Sequence, residues 1–354
     1  MDASQTLLKE LCEGFGPPGH ESEIAGMMKK HLRGLGEVTQ DGLGSIICKK
    51  KGTSDEPRVL IAGHMDEVGF MVKGITPEGF IKFLPMGGWW GHVVLAQKVR
   101  IRTKKGDVIG VVGSKPPHEL QEEERRKVLD LKDMFIDVGA TSYFDVRKKL
   151  GIKPGDPIVP ESGFSVMSNE RLYLAKALDN RVGCGLVIDT MRRLKEARHP
   201  NTVYGVATTM EEVGLRGAQT SVASVKPQVA IAVDVGIAHD TPGTTGDGDE
   251  KLGAGAGILV YDATMIPNVG LRDLAVDICE RQKITYHLGT VERGGTDAGR
   301  FHVYDTGIPS LVIFVPTRYI HSHLTIMDRK DYDASVRLLV ELAKRLDKKT
   351  VEGL

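Results

Sequence analysis

Five residues of the types that bind metal ions lie in separate segments of this 354-residue chain: His64, Asp179, Glu212, Asp234 and His321. Imidazole and carboxylate groups are the usual ligands of divalent metal ions in hydrolytic sites. Carboxylates gathered at this density repel one another unless a cation compensates their charge. The residue types therefore predict a metal centre, provided that the fold brings these distant segments together.

Four apolar segments predict buried strands that run into these polar residues. In an open α/β sheet, functional sites form beyond the carboxyl ends of the strands, so four ends from one sheet can converge on one crevice. Asp179 instead precedes a predicted helix at 180–195. A purely structural role as helix N-cap is therefore an alternative to metal binding for this residue. The four segments are RVLIAG before His64, VYGVATTM before Glu211 and Glu212, VAIAVD ending at Asp234, and SLVIFVP before His321.

The adjacent residues Glu211 and Glu212 suggest a division of roles. In an extended segment they point in different directions, so that one can bind a metal ion while the other faces water. Two ions sharing a bridging carboxylate would hold a hydroxide between them, and a carboxylate that is not a ligand would act as general base. His323 shares a strand face with His321 if that segment is extended, so either histidine could reach a metal ion.

The pattern of predicted secondary structure changes between residues 70 and 167. Short strand-like pieces at 70–73, 80–84, 98–103 and 108–112 are separated by Gly and Pro, whereas helices and strands alternate on both sides of this region. We therefore predict an α/β fold. A catalytic domain formed by 1–69 and 168–354 contains a mixed β-sheet flanked by helices. It is interrupted by a small all-β domain at 70–167.

The composition suggests an ordinary globular protein and excludes charge-driven partners. Hydrophobic residues make up 41% of the chain, and Lys+Arg equals Asp+Glu at 47 each. A balanced charge attracts neither nucleic acid nor an anionic membrane, so we expect neither as a partner. The chain has no run of about 18 apolar residues that would predict a membrane span. Four widely spaced cysteines and an N-terminus without the apolar region of a signal peptide predict a cytoplasmic location.

Six segments of the sequence resemble the tetrahedral, or FrvX-like, aminopeptidases. The similarity extends over nearly the whole chain, and it implies a metal-dependent aminopeptidase that removes N-terminal residues from short peptides, with zinc or cobalt as the usual metal. It also implies that 70–167 is a dimerisation domain and that dimers build a tetrahedral homododecamer. The segments are GHMDEVGF (63–70), KALDNRVG (176–183), MEEVGLRGAQTS (210–221), AVDV (232–235), GGTDAG (294–299) and RYIHS (318–322).

The resemblance also implies a role for each matching residue, with two divalent metal ions in each subunit. His64 and Asp234 would bind the first ion, Glu212 and His321 the second, and Asp179 would bridge both. Glu211 would be the general base that takes a proton from a water bridging the two metals. Asp66 would orient His64 or its neighbours. The substrate pocket would be lined by Gly294, Gly295, Thr296 and Asp297.

The preferred N-terminal residue and two alternative functions stay open. Glu292 and Arg293 stand just before the glycine pair, in a region tied to pocket character. A deacylase acting on N-acylated amino acids could use a similar two-metal site. A non-catalytic metal-binding scaffold would need the ligands but no free base, and Glu211 argues against it.

Overall fold

The computed structural model describes residues 1–244 and 249–354, including all side chains in these ranges except those of Pro117 and Glu124. The helices are α1 (Ala3–Glu13), α2 (Ser22–Leu32), α3 (Glu122–Arg125), α4 (Leu178–Lys195), α5 (Arg216–Val225), α6 (Val269–Gln282), α7 (Ala298–Phe301), α8 (Arg329–Arg345) and α9 (Lys348–Glu352). The strands are β1 (Glu37–Gln40), β2 (Ile46–Lys51), β3 (Arg58–His64), β4 (Gly69–Ile75), β5 (Ile81–Met86), β6 (Lys98–Thr103), β7 (Gly106–Gly113), β8 (Phe135–Asp137), β9 (Pro157–Pro160), β10 (Ser165–Val166), β11 (Leu172–Ala175), β12 (Thr202–Thr208), β13 (Val229–Ile237), β14 (Ala256–Asp262), β15 (Tyr286–Val291), β16 (Ser310–Arg318) and β17 (Thr325–Asp328).

Eleven strands form a large mixed sheet, in which β1-β2-β12-β3-β13-β16-β17-β11-β10 are consecutive neighbours and β14 links β15 to β16. The four adjacent strands β12, β3, β13 and β16 are parallel to one another. Their sequences are nearly continuous apolar runs because helices cover both faces of the sheet. One face packs against α1, α2, α4, α6 and α8, and the other packs against α5 and α7.

A second, smaller sheet closes into a six-stranded antiparallel barrel in the order β4-β5-β8-β7-β6-β9. Its interior is filled by apolar side chains that include Phe70, Ile101 and Ile136. The predicted α/β fold with an all-β insertion is therefore confirmed. The barrel strands span residues 69–160, and β10 already pairs with β11 of the large sheet, so the chain returns to that sheet before residue 167.

All four cysteines are buried as free thiols in the core of the large domain. None of the helices in the described ranges combines the length and the apolar character that a membrane span requires.

Candidate active site

The end of strand β3 and the loop after β12 bring the first group of predicted site residues together. His64 is the last residue of β3, and it pairs with Thr208 at the end of the neighbouring parallel strand β12. Glu211 and Glu212 follow three and four residues later, on the same edge of the sheet. His64 Nε2 lies 3.8 Å from a carboxylate oxygen of Glu211.

Asp179 reaches the same edge from the start of α4. The backbone is not helical at Asp179 and Asn180, and Asn180 supplies the cap: its side-chain oxygen accepts a hydrogen bond from Gly183 N at 2.8 Å. The Asn180 amide also donates to Val233 O at 2.8 Å, which ties the start of the helix to β13. The carboxylate of Asp179 is therefore not needed as an N-cap and faces the histidines.

The last two predicted ligands come from β13 and from the turn after β16. Asp234 lies inside β13, which continues to Ile237, so the strand does not end at Asp234 as the sequence suggests. The strand is longer because β13 stays paired with β16 over this whole stretch. His321 lies in the turn that follows β16, whereas the ring of His323 lies against Trp89, with 5.7 Å between ring centroids.

Two triads that share Asp179 form the centre of the site. The first contains His64, Asp179 and Asp234, the second contains Asp179, Glu212 and His321, and the potential ligand atoms of each triad lie within 4.8 Å of one another. His64 Nε2 is 3.3 Å from Oδ1 of Asp179, and His321 Nε2 is 3.4 Å from Oδ2 of the same carboxylate. His64, Glu211 and Glu212 also meet this criterion. Because two histidines face opposite oxygens of one carboxylate, the geometry suits a bridging ligand between two cations.

The cluster contains more carboxylates than imidazoles, since four acidic residues share it with His64 and His321. Burial raises the pKa of Glu212 and of Asp234 to about 8 each, and that of Glu211 well above its usual range, with neighbouring carboxylates adding to the effect. Glu212 Oε1 is buried without a hydrogen-bond partner among the described residues. Two imidazoles and several oxygen donors with excess negative charge fit divalent metal ions, which would satisfy both the charge and the orphaned oxygen.

The pKa of His321 is raised as well, which in an imidazole favours the charged form. Burial alone would lower the pKa of His321, but the carboxylates of Asp179 and Glu212 outweigh it and raise the pKa to about 9. Burial alone would raise the pKa of Asp179. Hydrogen bonds from His321 and His64 outweigh this effect, so the pKa of Asp179 is lowered. Protons on the imidazoles thus balance the charge that a cation would otherwise balance, which again matches the chemistry of a metal site.

Asp66 fixes the backbone of the two glutamates. Its two carboxylate oxygens accept hydrogen bonds from Glu211 N at 3.0 Å and from Glu212 N at 3.1 Å. The backbone oxygen of Asp66 lies 3.0 Å from His64 Nδ1. If His64 donates from Nδ1 to this carbonyl, its Nε2 keeps a lone pair toward Asp179. Asp66 therefore holds three site residues in place without belonging to either triad.

A cavity of about 570 Å³ opens beside the triads. Gly294, Gly295 and Thr296 line it, whereas Asp297 does not: that side chain is buried behind the wall and accepts a hydrogen bond from the Thr208 hydroxyl. Burial raises the pKa of Asp297 to about 6. The remaining wall is mainly apolar with two guanidinium groups, and it includes Leu215, Ile237, Val291, Arg293 and Arg300.

Residues 44–338 match the family model of M42 glutamyl aminopeptidases. The putative aminopeptidase FrvX of Escherichia coli is 38% identical over 94% of this chain and 93% of its own length. The chain belongs to the M42 aminopeptidase family. The glutamyl aminopeptidase of Lactococcus lactis is 35% identical to this M42 chain (92% and 91% covered), and the lysyl aminopeptidase of Pyrococcus furiosus is 32% identical (96% of each).

Solved structures agree with this assignment. The TET aminopeptidase of Thaumarchaeota archaeon SCGC AB-539-E09 is 47% identical, with a TM-score of 0.97 over 100% of the M42 chain and 99% of that protein. The Pyrococcus horikoshii TET1 peptidase, described as assembling into a tetrahedron or a large octahedral shell, is 31% identical (TM-score 0.86, 97% and 100% covered). The predicted family is confirmed, and the M42 chain is a peptide hydrolase.

A buried ion cluster beneath the M42 site was missed in the sequence. Lys176 Nζ lies 2.7 Å from both carboxylate oxygens of Glu67, and Arg181 approaches the same carboxylate at 3.2 Å. Arg181 also donates to Met65 O at 2.6 Å, and Lys176 donates to Gly14 O at 3.0 Å. These bonds fix the segment between His64 and β4. The two cationic residues that flank Asp179 in the KALDNRVG segment indicate positive charge near the site, but not that Glu67 is their partner.

We expect Lys176→Met to lower the free energy of unfolding of the M42 chain by about 3 kcal/mol. The substitution leaves the buried Glu67 carboxylate with a single cationic partner, and breaking a buried ion pair from one side costs about 3–5 kcal/mol. The measurement is a urea titration at saturating metal. Lys104→Met, at an exposed lysine on the barrel, serves as the control. Equal stability of both variants and the wild type would contradict a structural role for this cluster.

Proposed function

We propose that this chain is a metal-dependent aminopeptidase that binds two divalent ions, zinc or cobalt, and removes N-terminal residues from short peptides. His64, Asp179 and Asp234 would hold one ion, and Asp179, Glu212 and His321 the other. The observation that carries this proposal is the pair of triads sharing the Asp179 carboxylate, in a cluster with more carboxylates than imidazoles.

Bound there, divalent ions would act as Lewis acids toward a carbonyl oxygen and increase the acidity of water. Glu211 is the residue that we assign as general base and general acid: it accepts a proton from the attacking water and returns it to the leaving amine. Its backbone is fixed by Asp66, and burial favours proton uptake by its carboxylate. Asp66 acts by positioning Glu211, Glu212 and His64.

A comparison of free and N-acetylated peptides tests the reaction class. A free α-amino group is a cation that the acidic cluster attracts, whereas an acetylated N-terminus carries no charge. We expect release of the first residue from a free peptide, measured by mass spectrometry with zinc or cobalt present, and no release from its acetylated counterpart. Removal of the acyl group instead would support the deacylase alternative and overturn the aminopeptidase.

We further propose that the cavity accepts acidic N-terminal side chains. The named activities of the relatives, glutamyl and lysyl, have opposite charge requirements, so membership of the family does not set the preference. Arg293 and Arg300 line the cavity and are exposed, and neither has an ion-pair partner within 1–244 or 249–354. Every acidic side chain on the described cavity wall belongs to the metal-ligand cluster or is Glu211. Two unpaired guanidinium groups favour a carboxylate over an ammonium group.

We expect the double variant Arg293→Glu/Arg300→Glu to lower kcat/KM for a glutamyl p-nitroanilide by roughly 10- to 100-fold. A hydrogen bond to a charged group is worth about 1.5–3 kcal/mol, and the reversed charge repels the substrate. Activity toward the lysyl substrate should rise. Arg193→Glu, an exposed arginine of α4 outside the cavity, is the matched control. Preference of the wild type for the lysyl substrate would contradict this specificity.

The proposal extends to the assembly and the location of the protein. We propose a tetrahedral homododecamer built from dimers that pair through the barrel. The TET1 peptidase is described as assembling into a tetrahedron or a large octahedral shell, and one of its structures as a dodecamer. Leu84, Ile109 and Val111 expose apolar surface on barrel strands. Light scattering of the purified protein tests the subunit number. The four buried free thiols agree with a cytoplasmic enzyme, and the zero net charge with the absence of nucleic acid or membrane partners.

A further inference from the structure

We propose that the barrel segment 87–89 positions His321, so that the second metal triad is completed by a contact from outside the large domain. This inference rests on the proposed two-ion site. It assigns a positioning role to Gly88 and Trp89, two residues that the metal-ligand motifs do not include. The segment follows strand β5 and leads away from the barrel toward the cavity, where Gly88 forms part of the wall.

Gly88 lies against the side of the His321 ring that faces away from the carboxylates. A Cβ atom placed on Gly88 would be 3.1 Å from His321 Nδ1 and 3.5 Å from Cε1. The other ring nitrogen, Nε2, is 3.4 Å from Asp179 and 3.5 Å from Glu212. The ring is thus held between the barrel backbone and the two acidic members of its triad, and even a methyl group at position 88 would push it.

Gly87 applies the same restriction to Glu212. Its φ of +86° lies in the left-handed region that favours glycine. A Cβ atom there would approach Val68 Cγ1 to 2.7 Å and Glu212 Oε2 to 3.2 Å. The two glycines therefore lie next to His321 and Glu212, the members of the second triad other than Asp179. Side chains at positions 87 and 88 would prevent this close approach.

The turn that carries His321 needs support from its surroundings. Tyr319 and His321 both have left-handed backbone conformations, with φ of +64° and +55°, which cost a residue other than glycine about 1 kcal/mol or more. The Ser322 hydroxyl lies 2.7 Å from Tyr319 O and stabilises the turn locally. His323, in the same turn, is buried against the Trp89 ring. The barrel thus contacts this turn at His321 and at His323.

Trp89 anchors the segment in the barrel. Its indole N–H donates to Gly69 O at 3.0 Å, and its ring stacks on Phe70 with 4.6 Å between centroids and 24° between planes. Phe70 is fully buried in the barrel core. A rigid path therefore leads from the barrel core through Trp89 and Gly88 to the imidazole of His321.

The test is a cobalt titration of Gly88→Ala against a chromophoric chelator, with Gly74→Ala as the matched control. A Cβ on Gly74, in barrel strand β4, meets no atom within 4 Å. We expect Gly88→Ala to bind one cobalt equivalent about 10- to 100-fold more weakly, the usual effect of losing support for a metal-ligating histidine. The affinity of Gly88→Ala for the other cobalt equivalent should match that of the wild type. Gly74→Ala should bind both equivalents as tightly as the wild type does. The weakened equivalent should be the one that His321→Ala loses.

A second pair of variants keeps the inference testable if Gly88→Ala fails to fold, as judged by circular dichroism. Trp89→Phe preserves ring stacking on Phe70 but removes the indole donor, and Trp90→Phe changes the exposed neighbouring ring. Weakening of the same equivalent only in Trp89→Phe supports the inference. Two tightly bound equivalents in the wild type and in both Gly88→Ala and Trp89→Phe would overturn it and leave the proposed function intact. A wild type that binds fewer than two equivalents would overturn the two-ion site, and this inference with it.

Discussion

Glu211→Gln retains both metal equivalents but lowers kcat by about 10²–10⁴-fold, the range in which a positioned general base contributes to catalysis. The amide preserves the shape of the side chain and its backbone hydrogen bond to Asp66, but it cannot accept a proton. Elemental analysis of the purified variant gives the metal content, and turnover of an aminoacyl p-nitroanilide gives kcat.

The neighbouring substitution Glu212→Gln is the internal control for this experiment. Glu212 belongs to the second triad and has a buried, unpartnered oxygen within the described part of the chain, so its loss should affect metal binding first. Substitution of the two adjacent glutamates would then have different effects, with Glu211→Gln lowering turnover and Glu212→Gln lowering metal binding. If Glu211→Gln lost a metal equivalent, Glu211 would be a ligand rather than the base, since His64, Glu211 and Glu212 also lie close enough to share an ion.

Asp179→Ala weakens the binding of both ions and reduces activity to background. This side chain alone belongs to both triads, and each of its oxygens faces a different histidine. Its removal leaves each ion with two of three protein ligands, whereas Asp234→Ala or His321→Ala removes a ligand from one triad only. Cobalt titration of the three variants separates these cases: we expect two weakened equivalents for Asp179→Ala and one for each of the others.

A loss of only one equivalent in Asp179→Ala would contradict the bridging role. The bridge also predicts that effects at the two sites are not additive, because residues that share one partner are energetically coupled. The double variant Asp234→Ala/His321→Ala should then resemble Asp179→Ala more closely than either single variant does.

The sequence predicted the parts of this molecule that depend on short segments. Apolar runs predicted the central strands because parallel strands covered on both faces contain few polar residues. Polar residues placed at the ends of those runs indicated where His64 and Glu212 meet, since the ends of parallel strands share one edge of a sheet. Frequent Gly and Pro with short strands predicted the all-β insertion, and the barrel confirms it.

The sequence could not predict contacts between segments far apart in the chain. Lys176 and Glu67 are 109 residues apart, and nothing in their local sequence indicates that they pair. Gly88 approaches His321 only because the closed barrel presents its β5 loop to the cavity, and a glycine in a loop has many ordinary explanations. Asp297 belongs to a segment that lines the cavity, but its side chain turns inward to Thr208. Such orientations depend on packing rather than on motif spacing.

The most direct test of the two-ion site is an anomalous difference map from crystals of the cobalt- or zinc-loaded protein, recorded at the absorption edge of the added metal. We expect two peaks in each subunit on either side of the Asp179 carboxylate, one beside His64 and Asp234 and the other beside Glu212 and His321. A map with no peak at these residues, or with its peaks elsewhere in the subunit, would contradict the two-ion site.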